Sequence, residues 1–341
     1  MRRKTPIWAR YTDAQLLKLR FRELRLGRPR RAPLRRALRQ LRSELEARGI
    51  LLQPHVWYSD EWFSPDGVPG IAIPFYLAHR RLERLERRMS RSVEGGNASG
   101  LMRILRHEAG HAIDTAYRLR RRKLWRETFG SPTAPYPDRY RVMPTSRAFV
   151  QHLDGWYAQS HPAEDFAETF AVWLAPRSNW RVRYAETPAL AKLEAMDTMM
   201  QDVRDYPPPV RSAHRIDPVA ANELSLREYY RRSLQRRAHC DFSLIDKALC
   251  GRFAVRRLLG PSRRAEVCLN TLRPTLIRQA MANDAIDRYG AEQLLQLAIE
   301  RCRERRLWLH GTAVERRDAA LAMLCRVVRA ARREGSLQFT L

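Results

Sequence analysis

The sequence predicts an α+β chain that is mostly helical. It reads as a domain with a small β-sheet and a helix carrying His107-Glu108-Ala109-Gly110-His111, followed by an all-α C-terminal region. Three observations carry this. Apolar residues recur at helical spacing through much of the chain, as at Leu101, Ile104, Leu105 and Ile113. Two runs read instead as strands, HVWYS at 55–59 and GIAIPFYL at 70–77. Beyond Pro207-Pro208-Pro209 the periodic segments are all amphipathic helices. That triplet marks a domain boundary, because each proline pushes its predecessor out of the helical region.

In chain order, Thr12 or Asp13 caps a helix through AQLLKLRFRELRL, stopped by Gly27 and Pro29. A second basic helix covers 33–48 and ends at Gly49. The two strands follow, and Pro74 suits an edge strand better than a central one. Helices are expected from Ala78 onward, with a stripe at Leu82, Leu85 and Met89, and again over 100–122. Residues 131–144 are a Pro-rich loop. Further helices start near Pro162 and cover 188–203, 225–237, 271–286, 291–306 and 314–333. The expected division is a basic helical arm at 1–48, a catalytic domain at 49–208 and a basic helical domain at 209–341.

Composition excludes several classes. Of 341 residues, 44% are hydrophobic and 9% aromatic, enough for a core and against global disorder. No apolar run approaches the ~18–20 residues of a spanning helix. The start, MRRKTPIWARYTDAQ, has no apolar stretch of a secretory signal. Cys240, Cys250, Cys268, Cys302 and Cys325 form no CxxC pair and fit reduced thiols in a cytosol. The formal charge is +27, but it is uneven. Residues 1–48 and 209–341 each carry +12, while 49–208 carry +3. All but five of the 64 basic residues are arginine, so codon bias and docking to an anionic partner are both open accounts.

His107 and His111, four apart on a helix, point the same way one turn apart. At that spacing both imidazoles reach one Zn²⁺ at ~2.0–2.1 Å. Glu108 sits beside the first of them, where a general base faces a metal-activated water without binding the metal. Gly110 costs about 1 kcal/mol in a helix, so something packs closely there, for example a strand. A third ligand is needed, and the Tyr at 117 excludes the HExxHxxGxxH pattern. HPAEDFAETFAVWL, from His161, supplies carboxylates: Glu164 and Glu168 share one face, while Phe166, Phe170 and Trp173 face the core. Carboxylates bordered by large apolar groups need a partner. One of the two would bind the metal and the other a ligand histidine. Asp114 is a candidate to orient a histidine, and a solvated or helix-pairing role fits it equally. His152 and His161 read as loop or supporting residues rather than ligands.

The HEAGHxxD stretch from His107 to Asp114, with Tyr157 and HPAEDFAETF after it, resembles the zinc metallopeptidases whose third ligand is glutamate, the gluzincins. Within these it is similar to the lethal-factor-like peptidase core and the bacterial zinc-binding metallopeptidases related to it. The likeness covers about residues 50–205. It implies a zincin-like domain holding one Zn²⁺ through His107, His111 and Glu164, with Glu168 bonded to a ligand histidine. Asp165 stands at a position that is apolar in the lethal-factor pattern and stays open as the third ligand. Tyr157, seven residues before Glu164, has the spacing of a tyrosine that stabilises the oxyanion. The implied reaction is peptide hydrolysis, with Glu108 taking a proton from the attacking water and returning it to the leaving amine. The 70–77 run would hold an extended peptide by β-augmentation. The implied setting is a bacterial cytoplasm, with a peptide or protein substrate and no membrane.

The alternative is a non-catalytic basic binding module for nucleic acid or an acidic protein partner. Arginine-rich stripes at 20–48 and 301–333 suit phosphates. No P-loop, RRM or zinc-finger pattern accompanies them, which weighs against nucleic acid and leaves an acidic partner. The RLRRRK run at 118–123 reads as a solvated helix end or a docking patch for acidic peptides. A purely structural site needs no base at position 108, so Glu108 favours an enzyme.

Overall fold

Thr12 caps a helix, as its sequence suggests, but the helix ends after one turn. The Thr12 hydroxyl accepts from the Gln15 amide and the Gln15 side chain accepts from the Thr12 amide, closing α1 at Asp13–Leu16. The expected continuation is replaced by an extended Arg20 and a 3-10 turn over Phe21–Leu24. The reason is tertiary. The Phe21 and Arg22 amides donate to the Leu224 and Asn222 carbonyls, and Arg20 bridges to Ser225. The break lets Leu16, Phe21 and Leu24 all reach the core.

The computed structural model describes residues 5–238, 243–249, 253–257, 260–284, 286–333 and 337–340. The chain divides into two compact units. The first comprises 1–136, 148–153 and 161–238, and the second 137–147, 154–160 and 239–341. Residues 1–48, expected as an arm, thus belong to the first unit, and Trp8, Leu34 and Leu41 sit in its core. That unit also runs past the triple proline. The Val210 amide donates to Ala116 and the Val219 amide to Tyr58, and Leu226 and Tyr230 are buried in the same core.

In the first unit, α2 (Ala32–Ala47) starts with Pro33 in its first turn and buries Leu34, Ala37, Leu41 and Leu45 along one stripe. Gly49, at φ +71°, follows its end. β1 (His55–Ser59) and β2 (Gly70–Pro74) pair in parallel, from His55↔Gly70 to Ser59↔Pro74. β2 is buried throughout and stops at Pro74, after which Phe75–Ala78 form a 3-10 turn. The side of β2 away from β1 is met by Phe63, whose carbonyl accepts from the Ala72 amide at 2.8 Å. In this two-stranded sheet β2 is an edge strand, as Pro74 suggests, and the Phe63 bridge engages that edge at Ala72.

α3 (Arg80–Met89) is capped by the His79 ring and buries Leu82 and Leu85. α4 (Ala98–Tyr117) is the central helix. The Asn97 side chain accepts from the Gly100 amide at 2.8 Å, and Arg118 in the left-handed region ends it. α5 is Lys123–Phe129. In α6 (Pro162–Leu174), His161 is the cap, Pro162 opens the first turn, and every residue from Ala163 to Leu174 is buried. α7 (Trp180–Arg183), α8 (Ala189–Val203) and α9 (Leu226–Ala238) complete the unit. Arg106 of α4 clamps Glu44 of α2 with two bonds of 2.7 Å, a geometry that ties those helices.

In the second unit, β3 (Arg139–Val142) runs antiparallel to the strand Leu337–Thr340 at the end of the chain. Between them come α10 (Ser243–Ala248), β4 (Phe253–Ala254), β5 (Ser262–Arg264), α11 (Ala265–Asp284), α12 (Arg288–Glu304), β6 (Trp308–His310) and α13 (Ala313–Arg333), with β7 last. The C-terminal region is helical as expected, and β4, β6 and β5 add one small sheet in that order. Leu269, Leu276, Leu294, Ile299, Leu324 and Val328 are among its fully buried core residues. Cys268 and Cys302 are free thiols, both buried. Cys240 and Cys250 lie outside the described residues. Among the described residues, no helix is long and apolar enough to cross a membrane.

Candidate metal centre

The site forms where α4 and α6 pack, and Gly110 governs how close they come. A Cβ at 110 would lie 2.9 Å from the Ala167 Cα and 3.3 Å from its carbonyl oxygen. The close neighbour is thus a helix, where a strand was expected. A helix approaches this near only where a side chain is missing, and Gly110 and Ala167 supply that. Gly110→Val is expected to lower stability by about 2–3 kcal/mol, since backbone cannot yield as a flexible side chain does. A thermal melt at fixed metal concentration checks this, and an unchanged midpoint would contradict it.

The approach brings His107 and His111 of α4 against Glu164 and Glu168 of α6. His107 Nε2 lies 3.0 Å from Glu164 Oε2, His111 Nε2 lies 3.1 Å from the same oxygen, and the two Nε2 atoms are 3.2 Å apart. On its other side, His107 Nδ1 donates to Glu168 Oε1 at 2.9 Å. That bond orients the ring, so that the neutral imidazole a cation would bind keeps its proton on Nδ1 and turns its Nε2 lone pair inward. Ligand atoms around a tetrahedral ion with ~2.0 Å bonds are about 3.3 Å apart, close to this triangle. The donor set therefore fits a divalent cation, with two imidazole nitrogens and one carboxylate oxygen converging on one point.

The electrostatics follow. Burial disfavours charge on Glu164, yet the two histidines hold its carboxyl well below the usual range. Burial also works against charging His107, but its bonds to Glu164 and Glu168 prevail and raise it to about 10. Burial likewise opposes charge on His111, and Glu164 raises it nonetheless. Glu108 is 6% exposed, and its Oε2 has no hydrogen-bond partner. Burial pushes its carboxyl up, against the pull of the two histidines.

Glu168 is held as firmly as it holds. Its Oε2 accepts the amides of His152 and Leu153 at 3.1 and 2.7 Å. His152 is supporting structure. Its Nε2 bonds to the Arg103 carbonyl, the Arg103 guanidinium donates to the His152 carbonyl, and burial lowers the ring to about 4. Asp114 spends its oxygens on Arg120, accepting its amide and its Nε at 2.8 Å each, rather than on either histidine. Arg120, from the RLRRRK run, also reaches Asp66.

Asp165 turns away from the cluster to Lys192 of α8, at 2.5 Å, so the converging carboxylate is Glu164. Burial raises Asp165 to about 7 even beside that ammonium. Lys192→Met is expected to cost about 3 kcal/mol at pH 8 by stranding a buried carboxylate. A folded pKa raised above its unfolded value gives stability that is fully present below the unfolded pKa and lost as pH rises through the folded one. The penalty should therefore shrink when denaturant melts are repeated at pH 5, and an equal penalty at both would contradict it.

Two residues escaped the sequence reading, Lys192 and Tyr136. The Tyr136 hydroxyl donates to Glu164 Oε1 at 2.9 Å, and its ring stacks on His161 with centroids 3.7 Å apart. His161 Nδ1 caps α6 by accepting the Ala163 amide, while Nε2 bonds to the Ala134 carbonyl. The signal for Tyr136 was weak: one aromatic between Pro135 and Pro137 in a loop. Tyr157 lies in the second unit. It begins a short 3-10 turn, Tyr157–Gln159, with its ring edge-on to Tyr140.

No curated protein and no solved structure matches the chain significantly. A family comparison does give a match, and its extent, from the first turns of α3 to beyond α8, takes in His107, Glu108, His111, Glu164 and Glu168. By that measure and by the donor geometry, residues 81–220 carry a metallopeptidase-type site and match the family described as "Putative zinc-binding metallo-peptidase".

Proposed function

We propose that the protein is a zinc-dependent peptidase that hydrolyses peptide bonds, with a glutamate as its third metal ligand. The observation that carries this is the convergence of His107 Nε2, His111 Nε2 and Glu164 Oε2 beside a buried Glu108 whose Oε2 is unpartnered. The HEAGH helix followed by Glu164 on α6 also supports the likeness to the lethal-factor-like peptidase core. The catalytic part lies within 49–208, and the substrate is a peptide or protein.

Zinc, when bound, would supply Lewis acidity, making water nucleophilic near neutral pH and polarising the scissile carbonyl. His107, His111 and Glu164 would hold it, and Glu168 keeps the His107 lone pair aimed inward. Glu108 accepts the proton released as water attacks and passes it to the departing amine. Tyr157 is proposed as a donor to the oxyanion, on its spacing from Glu164. Asp114 supports the end of α4 through Arg120.

The test is metal content followed by digestion of an unbiased peptide library. Wild-type protein from zinc-replete medium is expected to carry about one ion per chain and His111→Ala close to none. Library cleavage should disappear with the ion and return on adding zinc. A wild-type protein that takes up no metal under these conditions would sink the proposal.

A further inference from the structure

We propose that Tyr136 is a positioning residue for the metal centre: its hydroxyl fixes the outer oxygen of Glu164, so that one carboxylate oxygen alone faces the histidine pair. This rests on the zinc reading above and deepens it. The geometry is specific. Glu164 Oε2 is the atom 3.0 and 3.1 Å from the two Nε2 atoms, whereas Oε1 is the atom that takes the Tyr136 proton at 2.9 Å. A carboxylate whose second oxygen is engaged in this way is held to one-oxygen binding, and ligating carboxylates are commonly fixed by such a partner.

The mounting of Tyr136 is also visible. Its ring lies nearly parallel to that of His161, at 14°, with centroids 3.7 Å apart. His161 is itself anchored at both ring nitrogens, to the Ala163 amide at the start of α6 and to the Ala134 carbonyl. One imidazole thus joins the first turn of α6, which bears Glu164, to the loop that bears Tyr136. Pro135 and Pro137 on either side restrict that loop further. The tyrosine is otherwise well exposed, at 55%, so burial is not what holds the ring in place. Neither Asp165 nor Glu168 is placed to substitute: Asp165 points to Lys192 through its Oδ2, outside the converging donor set, and both oxygens of Glu168 are bonded, to His107, His152 and Leu153.

The experiment uses the full chain loaded with Zn²⁺ or Co²⁺, as wild type, Tyr136→Phe and Tyr136→Ala. Phe keeps the stack on His161 and removes only the hydroxyl. Chelator competition is expected to show affinity for Zn²⁺ about 10–100-fold weaker in Tyr136→Phe. The visible spectrum of its Co²⁺ form should lose intensity, as the freed oxygen swings in and raises the coordination number. Tyr136→Ala should match Phe in both, because the hydroxyl is the operative group. A Phe variant with wild-type affinity and an unchanged Co²⁺ spectrum overturns the proposal and leaves the zinc reading intact. A wild-type protein that binds neither ion defeats the zinc reading itself. Loss in Ala but not in Phe would assign the effect to the ring stack and likewise overturn the role of the hydroxyl.

Discussion

Glu108→Gln is expected to keep the metal and to abolish measurable peptide hydrolysis. Glutamine has the same shape and fills the same buried space, so the ligands on either side of it have no cause to move. It cannot take a proton from an attacking water, and that transfer is worth about 10²–10⁴ in rate. Glu108 lies between the helix turns that bear the two ring ligands, and its Oε2 is committed to no other group. That is unusual for a buried carboxylate oxygen, which normally has a structural partner. The check is metal content and library cleavage on wild type and variant side by side. Cleavage at the wild-type rate would remove Glu108 as the base. Loss of the metal together with activity would make it a ligand.

Glu168→Gln is expected to spare the fold and cost about 100-fold in metal affinity. The Gln oxygen can still accept the His152 and Leu153 amides, as Glu168 Oε2 does. Its amide nitrogen would then face His107 Nδ1, where a carboxylate oxygen now accepts. Two donors cannot share that contact, so the imidazole moves its proton to Nε2, the atom that faces Glu164 and His111. The ring is left in place with its lone pair on the wrong side. Melting without metal should fall within about 1 kcal/mol of wild type, while chelator competition reports the loss. A variant that melts much earlier yet binds metal as before would show that Glu168 is structural alone.

Much of this site is legible from the sequence because local rules govern it. His107 and His111 share a helix face by spacing, and Glu164 and Glu168 do the same on α6. The unpaired chemistry of those four side chains is enough to suggest that the two faces meet. The choice between Glu164 and Asp165 was not legible, because it turns on Lys192, which lies on another helix. Tyr136 was hidden for the same reason: a loop residue has no period, and its partner is reached only in three dimensions. At the N-terminus, helical spacing through 14–26 was overruled by amide bonds to residues 222 and 224, far along the chain. The proline of the 70–77 run suggested an edge, and β2 is one strand of a two-stranded sheet, though the parallel pairing and the bridge from Phe63 lay outside any local pattern.

The close contact at Gly110 also sets the size of the donor triangle. The donor triangle spans two helices, so its edges are set by how far apart the helix axes stand rather than by the rotamers of the ligands alone. At 3.0–3.2 Å those edges suit a small ion bound tightly by few atoms. Any side chain at 110 would wedge the helices apart and widen the triangle past the spacing that ~2.0 Å bonds require. A series of Gly, Ala and Val at this one position would therefore weaken metal affinity stepwise without altering a single ligand.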